Sequence, residues 1–421
     1  MTLIDNAPSD LPVSWNTQQQ GQNGDLPFWT TSALAAALTD YSTVSRPAKE
    51  AFAELCEKLN LEGIPIDRAM VALHDFHPQI AARSITWQRG TDTEEEAFYR
   101  RDIRNREYED SPVKVIHEGA SAVRRRLQGP DAQLDFPILA DLKGLGFTDY
   151  VAMPLGFSDG SRHFVSWVTC QEGGFESAEL GRLYDLLPLI CMRIELEHSY
   201  MVRRQLLETY LGKNAAERVQ AGTIRRNQVE VIDAIILYND LRGFTRLTDT
   251  LPPEDVISML AEYYQAVAEP IQYFGGDIIK MIGDGMLSIF PLTSGMDDER
   301  VNHIACGAVA AVRRAHAALQ SIPQERLPDG CPAMRAGFAL HAGPVTFGNV
   351  GSLDRLDFTV IGPAVNEAAR LEELTKTIGV PLLATRAFAR LRCNIEVESL
   401  GHHRLRDVRE PQEVFRVVGV E

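Results

Sequence analysis

The sequence predicts a mixed α/β (α+β) protein of two domains joined by a long helix. Its 421 residues exceed what one ordinary core organises, so two domains are expected. Short apolar strand-like runs alternate with helical patterns in both halves, which points to helices covering sheets. Between the halves, Ser177 to about Gln220 keeps helical apolar spacing throughout. The expected divisions are a flexible tail over 1–27, a mixed α/β domain over 28–175, a helical linker over 176–228 and a second α/β domain over 229–421.

The bulk chemistry excludes several classes. With 45% hydrophobic and 24% charged residues the chain is ordinary globular material. Its formal charge of −16 disfavours nucleic acid and anionic lipid as partners, though not one small anion held by metal ions and local cations. The six cysteines, Cys56, Cys170, Cys191, Cys306, Cys331 and Cys393, show no CxxC or regular framework and read as reduced core thiols of a cytoplasmic protein. The first residues lack a basic and an apolar region, so no signal peptide is expected. No run nears the roughly eighteen apolar residues of a membrane span; the best, about Leu186 to Ile194, contains Pro188.

Residues 1–27, rich in Gln, Asn, Gly, Asp and Pro, read as a mobile tail. Thr31 to Leu61 has helical spacing through Leu34, Leu38, Tyr41, Phe52 and Leu55. Strands are expected at Arg68–Leu73, Ala82–Gln88, Tyr150–Phe157 and His163–Thr169, the last two joined by a turn at Ser158-Asp159-Gly160-Ser161. A central helix is expected around Val115 to Leu127. This order of elements resembles sheet sensors of the GAF or PAS type. In the linker, Leu180, Leu183, Leu187, Ile190, Ile194, Leu196, Tyr200, Val202 and Leu206 fall at mixed three- and four-residue spacing, with charges between. That is the pattern of a two-stranded signalling coiled coil, and equally, for its first half, of a helix packed on its own domain.

From Val229 the expected order is strand (Val231–Tyr238), helix (Pro253–Tyr273), a strand pair (Ile278–Phe290), helix (Glu299–Ser321), strands (Met334–Ala342 and Asp357–Ile361), helix (Ala364–Ile378) and terminal strands. Three motifs sit on this frame. In the first, an apolar strand delivers Asp240, and Leu241-Arg242-Gly243-Phe244-Thr245 turns into a helix, so backbone N–H groups face an anion beside a metal-competent carboxylate. In the second, Asp284 stands between Gly283 and Gly285 at a hairpin tip, and Lys280 lies in an otherwise apolar strand, where an ammonium should snorkel to water or have a specific acceptor. In the third, Gly362-Pro363 opens a helix on which Asn366 and Arg370 share a face at i and i+4. Taken singly, these also fit a helix cap, a plain turn and a solvated face.

Together and in this order, NDLRGFTRLTD, GGDIIKMIGDGMLSIF and LHAGPVTFGNVGSLDRLDFTVIGPAVNEAARLE resemble the catalytic domain of class III adenylyl and guanylyl cyclases, over about Val229 to Val418. The resemblance implies an α/β sandwich working as a head-to-tail homodimer with sites at the interface. It implies metal binding at Asp240, Asp284 and Leu241, with two Mg2+ (or Mn2+) ions per site. Lys280 and Thr359 match the purine-selecting pair and Asn366 and Arg370 the transition-state pair, all from the facing protomer. Gly243, Phe244, Thr245 and Ile361 complete the substrate contacts. The family's phosphate-binding lysine falls near Arg404 or Arg406, with Arg406 the candidate. The arm expected at His341 to Gly351, a strand and protruding loop punctuated by glycines, also fits a plain Gly-rich hairpin.

Base choice follows from hydrogen-bond chemistry. Lys280 is donor-only and suits adenine N1; Thr359 can accept from the 6-amino group. Guanine reverses both edges. The expected activity is therefore conversion of ATP to 3′,5′-cyclic AMP and pyrophosphate, set by an unknown small-molecule or protein input to the N-terminal domain. A cyclase of the same fold using GTP or a pyrimidine triphosphate, or a non-catalytic nucleotide-binding scaffold, are the alternatives. Gly275-Gly276-Asp277 lacks the Glu-Phe of diguanylate cyclases. His74-Asp75-Phe76-His77 reads as surface or turn, and Arg124-Arg125-Arg126 as a solvated helix end.

Overall fold

The computed structural model describes residues 47–75, 79–99, 108–130, 132–222, 229–293, 295–352, 354–391 and 395–420. The expected tail, the front of the helix expected from Thr31, the pair Phe76-His77 and Cys393 lie outside these. Two compact units emerge, the first ending at Tyr200 and the second beginning at Met201.

The first unit is built on a six-stranded antiparallel sheet. Its strands are β1 (Arg68–His74), β2 (Ile80–Gln88), β3 (Glu94–Tyr99), β4 (Val123–Arg126), β5 (Asp149–Gly156) and β6 (Arg162–Thr169), in the order β3-β2-β1-β6-β5-β4. Alternation along β6 sends Val165 and Trp167 to one face, with Phe52 and Leu59 of helix α1 (Ala48–Leu61). Phe164 and Val168 go to the other, with Ile116 of α2 (Pro112–His117) and Leu139 of α3 (Pro137–Gly144). The long helix α4 (Ser177–Leu211) buries Leu183, Ile190 and Ile194 in the first of these cores. The first half of the linker is thus a helix packed on its own domain.

Two expectations are corrected here. The central helix around Val115 to Leu127 is short: it stops at His117, Gly119 turns at φ +118°, and the chain re-enters the sheet as β4. Arg124-Arg125-Arg126 is therefore strand and not a helix end. Arg124 donates to the fully buried Asp149 at 2.6 Å and to the Phe175 carbonyl at 2.7 Å. The strand β3, EEEAFY, went unread because a charged, exposed edge strand carries no apolar alternation.

The second unit carries an eight-stranded sheet. Its strands are β7 (Val229–Leu241), β8 (Asp277–Ile282), β9 (Gly285–Leu292), β10 (Ala336–Gly351), β11 (Leu356–Ile361), β12 (Leu382–Thr385), β13 (Val397–His403) and β14 (Gln412–Val417). The order is β13-β14-β12-β10-β7-β9-β8, with β11 paired to β10, and only β10 and β12 run parallel. Gly212, at φ +81°, ends α4 and starts α5 (Lys213–Gln220), so the linker is two helices rather than one.

Along β7, Ile235 and Leu237 face one core and Ala234 and Ile236 the other. The first core packs under α7 (Pro253–Tyr273) and α8 (Asp298–Gln320) through Tyr263, Val267, Ile271, Val309 and Val312. The second lies under α5 and α9 (Pro363–Ile378) through Ala215, Ala364 and Ala368. A short helix, α6 (Phe244–Thr250), follows β7, and a one-turn helix, α10 (Arg386–Ala389), precedes the terminal hairpin. The expected loop within His341 to Gly351 is absent: β10 runs unbroken through it, pairing with β7 as far as Gly348 and with β11 from Thr346 to Gly351. The Gly-rich stretch is a β-ribbon. Among the described residues no helix is long and apolar enough to cross a membrane. The five described cysteines are free, but not all are core thiols: Cys56, Cys191 and Cys331 are buried, whereas Cys170, just past the end of β6, is exposed.

Arg124→Ala leaves the Asp149 carboxylate buried without its cation. It is expected to lower unfolding free energy by roughly 3 kcal/mol, read from urea transitions. A change within experimental scatter would refute the structural role of the pair.

Candidate active site

The site begins where β7 ends. Asp240 lies opposite Gly285 of β9 on one side and Gly337 of β10 on the other. Both glycines allow a close approach. A Cβ on Gly285 would stand 3.5 Å from Asp240 Oδ1 and 3.2 Å from the Asn239 carbonyl, and one on Gly337 would collide with the Arg242 guanidinium and the Glu372 carboxylate. Asp284 occupies the two-residue turn between β8 and β9, with Gly283 at φ +63°. The Tyr264 hydroxyl donates to the Gly283 carbonyl, and the Leu241 N–H donates to the Asp284 carbonyl at 3.3 Å. These contacts fix the hairpin tip against the end of β7.

The two carboxyl groups consequently meet. Burial, the Asp240 charge and a hydrogen bond between the two side chains raise the Asp284 pKa to about 6, against a partial opposing effect of its own backbone and of Lys376. The proton belongs to the pair rather than to one residue. The Lys376 ammonium of α9 lies 2.5 Å from Asp240 Oδ2.

This donor set fits Mg2+ or Mn2+: two carboxylates, and at Leu241, whose side chain is buried, only a carbonyl oxygen, are hard ligands. A cation, the lysine ammonium, already stands against one of them. Among the described residues no group of three or more His, Cys, Asp or Glu is arranged to hold a metal, so the pair needs further oxygens from a ligand.

Gly243 caps α6 at φ +77°, as the turn requires. The N–H groups of Leu241 and Arg242 already bond to the carbonyls of Asp284 and Arg335. The anion-facing donors are therefore those of Gly243, Phe244 and Thr245, at a helix start where intrahelical acceptors are lacking.

The other expected residues form two further groups. The Lys280 ammonium of β8 bonds to Asp357 of β11. Thr359 is two residues along the same strand and so on the same face as Asp357; Ile361 ends that strand exposed. On α9, Arg370 bonds to Glu373 at 2.6 Å and approaches Asp407 at 3.8 Å, with Asn366 exposed one turn earlier. Arg406 lies 3.9 Å from the same Glu373, whereas Arg404 is simply exposed. Among the described residues neither Asp240 nor Asp284 bonds to Lys280, Asn366 or Arg370.

Four participants were not found from sequence: Lys376, Asp357, Glu372 and Arg242. Glu372 is buried and pairs with Arg242 at 2.9 Å. Their i, i+4 spacing (Glu372, Lys376) on a helix was the available signal, but that pattern is common on any solvated helix. A cavity of about 380 Å3 lined by Asn214, Arg218, Asp277 and Phe347 includes none of the site residues.

Residues 228–419 match the family model of the adenylate and guanylate cyclase catalytic domain. This segment is similar to that catalytic domain. It is similar to adenylate cyclase 1 of Rhizobium meliloti, 30% identical over 185 residues, covering 44% of this chain and 27% of that protein. It is also similar to an adenylate cyclase of Anabaena cylindrica, 35% identical over 159 residues, covering 37% of this chain and 30% of the relative. The chain thus spans well under half the length of these curated relatives. Among solved structures, a bacterial light-regulated adenylyl cyclase is 26% identical with a TM-score of 0.39, over 46% of this chain and 93% of that one. The guanylyl cyclase Cya2 is 27% identical with a TM-score of 0.39, over 46% and 94%.

The raised Asp284 pKa has a definite sign for stability. A carboxyl whose folded pKa exceeds its unfolded value stabilises below the unfolded value, and that contribution is lost as pH rises through the folded one. Asp284→Asn is therefore expected to raise Tm at pH 7 in metal-free buffer, with the gain vanishing near pH 4. A lower Tm at pH 7 would contradict the carboxylate contact.

Proposed function

We propose that the chain is an adenylyl cyclase that acts as a homodimer and converts ATP to 3′,5′-cyclic AMP and pyrophosphate. The observation that carries this reading is the grouping of the site residues. The two carboxylates meet at one strand end, while the base-selecting and phosphate-binding side chains stand apart from them in the same chain. A second copy, placed head to tail, supplies what each half lacks, and twofold symmetry gives two equivalent sites.

In this reading the ribose 3′-oxygen attacks the α-phosphorus, the bond to the β-phosphate oxygen breaks, pyrophosphate leaves and the 3′-hydroxyl proton is released. Asp240 and Asp284, with the Leu241 carbonyl, would hold two divalent cations, which when bound would supply Lewis acidity and neutralise charge. Arg370 of the facing protomer binds the α-phosphate as its charge redistributes, and Asn366 orients the ribose. Amides at Gly243 to Thr245 hold the outer phosphates, joined by Arg406. Lys280 donates to adenine N1 and Thr359 accepts from the 6-amino group; a lysine has no acceptor for the N1–H of guanine.

The N-terminal unit is proposed as a GAF/PAS-like sensor whose input reaches the catalytic domains through α4. Its central antiparallel sheet supports that reading, as do the large apolar side chains that α4 leaves exposed: Tyr184, Met192, Tyr200 and Tyr210. These suit pairing of two such helices.

Turnover of each nucleoside triphosphate with Mg2+ or Mn2+ tests the substrate; ATP is expected to be preferred, and no cyclic product from any of them would refute the enzyme. Asp240→Ala and Arg370→Ala are each expected to lower kcat by about a hundredfold or more. Mixing these two inactive variants is expected to restore about a quarter of wild-type turnover, because half the dimers then carry one intact site. No recovery on mixing would contradict sites shared between protomers.

A further inference from the structure

Lys376 has no part in the chemistry above, yet its ammonium is paired directly with Asp240. Its Nζ is 2.5 Å from Asp240 Oδ2 and 4.0 Å from Glu372 Oε2. Two cations could neutralise Asp240 in the absence of a metal, and the surroundings choose between them. Arg242 is committed elsewhere: it pairs with Glu372, itself only 2% exposed, and donates to the Thr375 hydroxyl. Lys376 is half exposed on a flexible stem at the end of α9, so it can leave without disturbing the core.

We propose that Lys376 is a resident counter-cation that occupies Asp240 in the nucleotide-free protein and competes with divalent metal for it. The inference rests on the reading of Asp240 and Asp284 as metal ligands. It assigns Lys376 a positioning role: it keeps the carboxylate pair neutralised until a metal arrives and lowers the affinity of the free enzyme for stray ions. A metal–triphosphate complex relieves the competition from both sides, offering a cation to Asp240 and an anion to the lysine.

The test is Mn2+ binding to the full chain without nucleotide, read from loss of the free-Mn2+ electron paramagnetic resonance signal. Lys376→Gln is expected to bind Mn2+ about tenfold more tightly than wild type, since a competing charge at contact distance is removed. Lys376→Arg, which keeps the charge, is expected to stay near wild type, and adding Asp240→Asn to Lys376→Gln is expected to abolish the gain. Lys376→Met, which keeps the apolar stem, serves if the glutamine variant melts abnormally. Unchanged or weaker binding in Lys376→Gln and Lys376→Met, with Asp240-dependent binding intact in wild type, overturns this proposal alone. An arginine variant as tight as the glutamine one also overturns it. No Mn2+ binding by any variant overturns both the proposal and the metal reading.

Discussion

Two carboxylates held against each other at the end of a buried strand pair are the constraint on which the second unit turns. Anions at that distance repel, and burial deprives them of water, which is why the Asp284 pKa rises to about 6. The surrounding backbone leaves them little freedom to separate. Gly285 and Gly337 open space on either side of Asp240, and the Leu241 amide and the Tyr264 hydroxyl pin the hairpin that carries Asp284. Beneath them the β7 strand is buried on both faces, so the position of Asp240 is set by the core rather than by a loop. A local conflict of this kind persists because the frame around it is well packed.

Helix α9 ties this conflict to the rest of the domain. Its first half presents Asn366 and Arg370, its middle buries Glu372 against Arg242, and its end sets Lys376 on Asp240. One rigid element therefore touches the carboxylates of its own chain and, in the proposed dimer, offers its other side chains to the facing site. Asp357 plays a comparable part on β11, holding the Lys280 ammonium on the face shared with Thr359.

Much of the second unit was legible because its signals are local. The helix Pro253–Tyr273 has proline at its start and a continuous apolar stripe, and the Gly-Asp-Gly hairpin announces its own turn. The carboxylates could be named from the strand and turn that carry them. What could not be read depends on contacts between distant segments: the Arg242–Glu372 pair, the Lys376–Asp240 pair and the space that Gly337 provides all join residues far apart in sequence. In the first unit the arginine run was misread for the same reason, since only the partner strand shows that Arg124 answers a buried Asp149. The glycines of the ribbon were read as loop because period-two alternation weakens where side chains are missing.

The central claim, that one active site is assembled from two chains around the Asp240–Asp284 pair, is tested most directly by a crystal structure of the full chain with Mn2+ and a non-cyclisable ATP analogue. The account predicts anomalous manganese density on both carboxylates of one protomer, with Lys280 and Arg370 of its partner on the same nucleotide. Manganese bound away from Asp240 and Asp284, or a nucleotide held wholly within one chain, would contradict it.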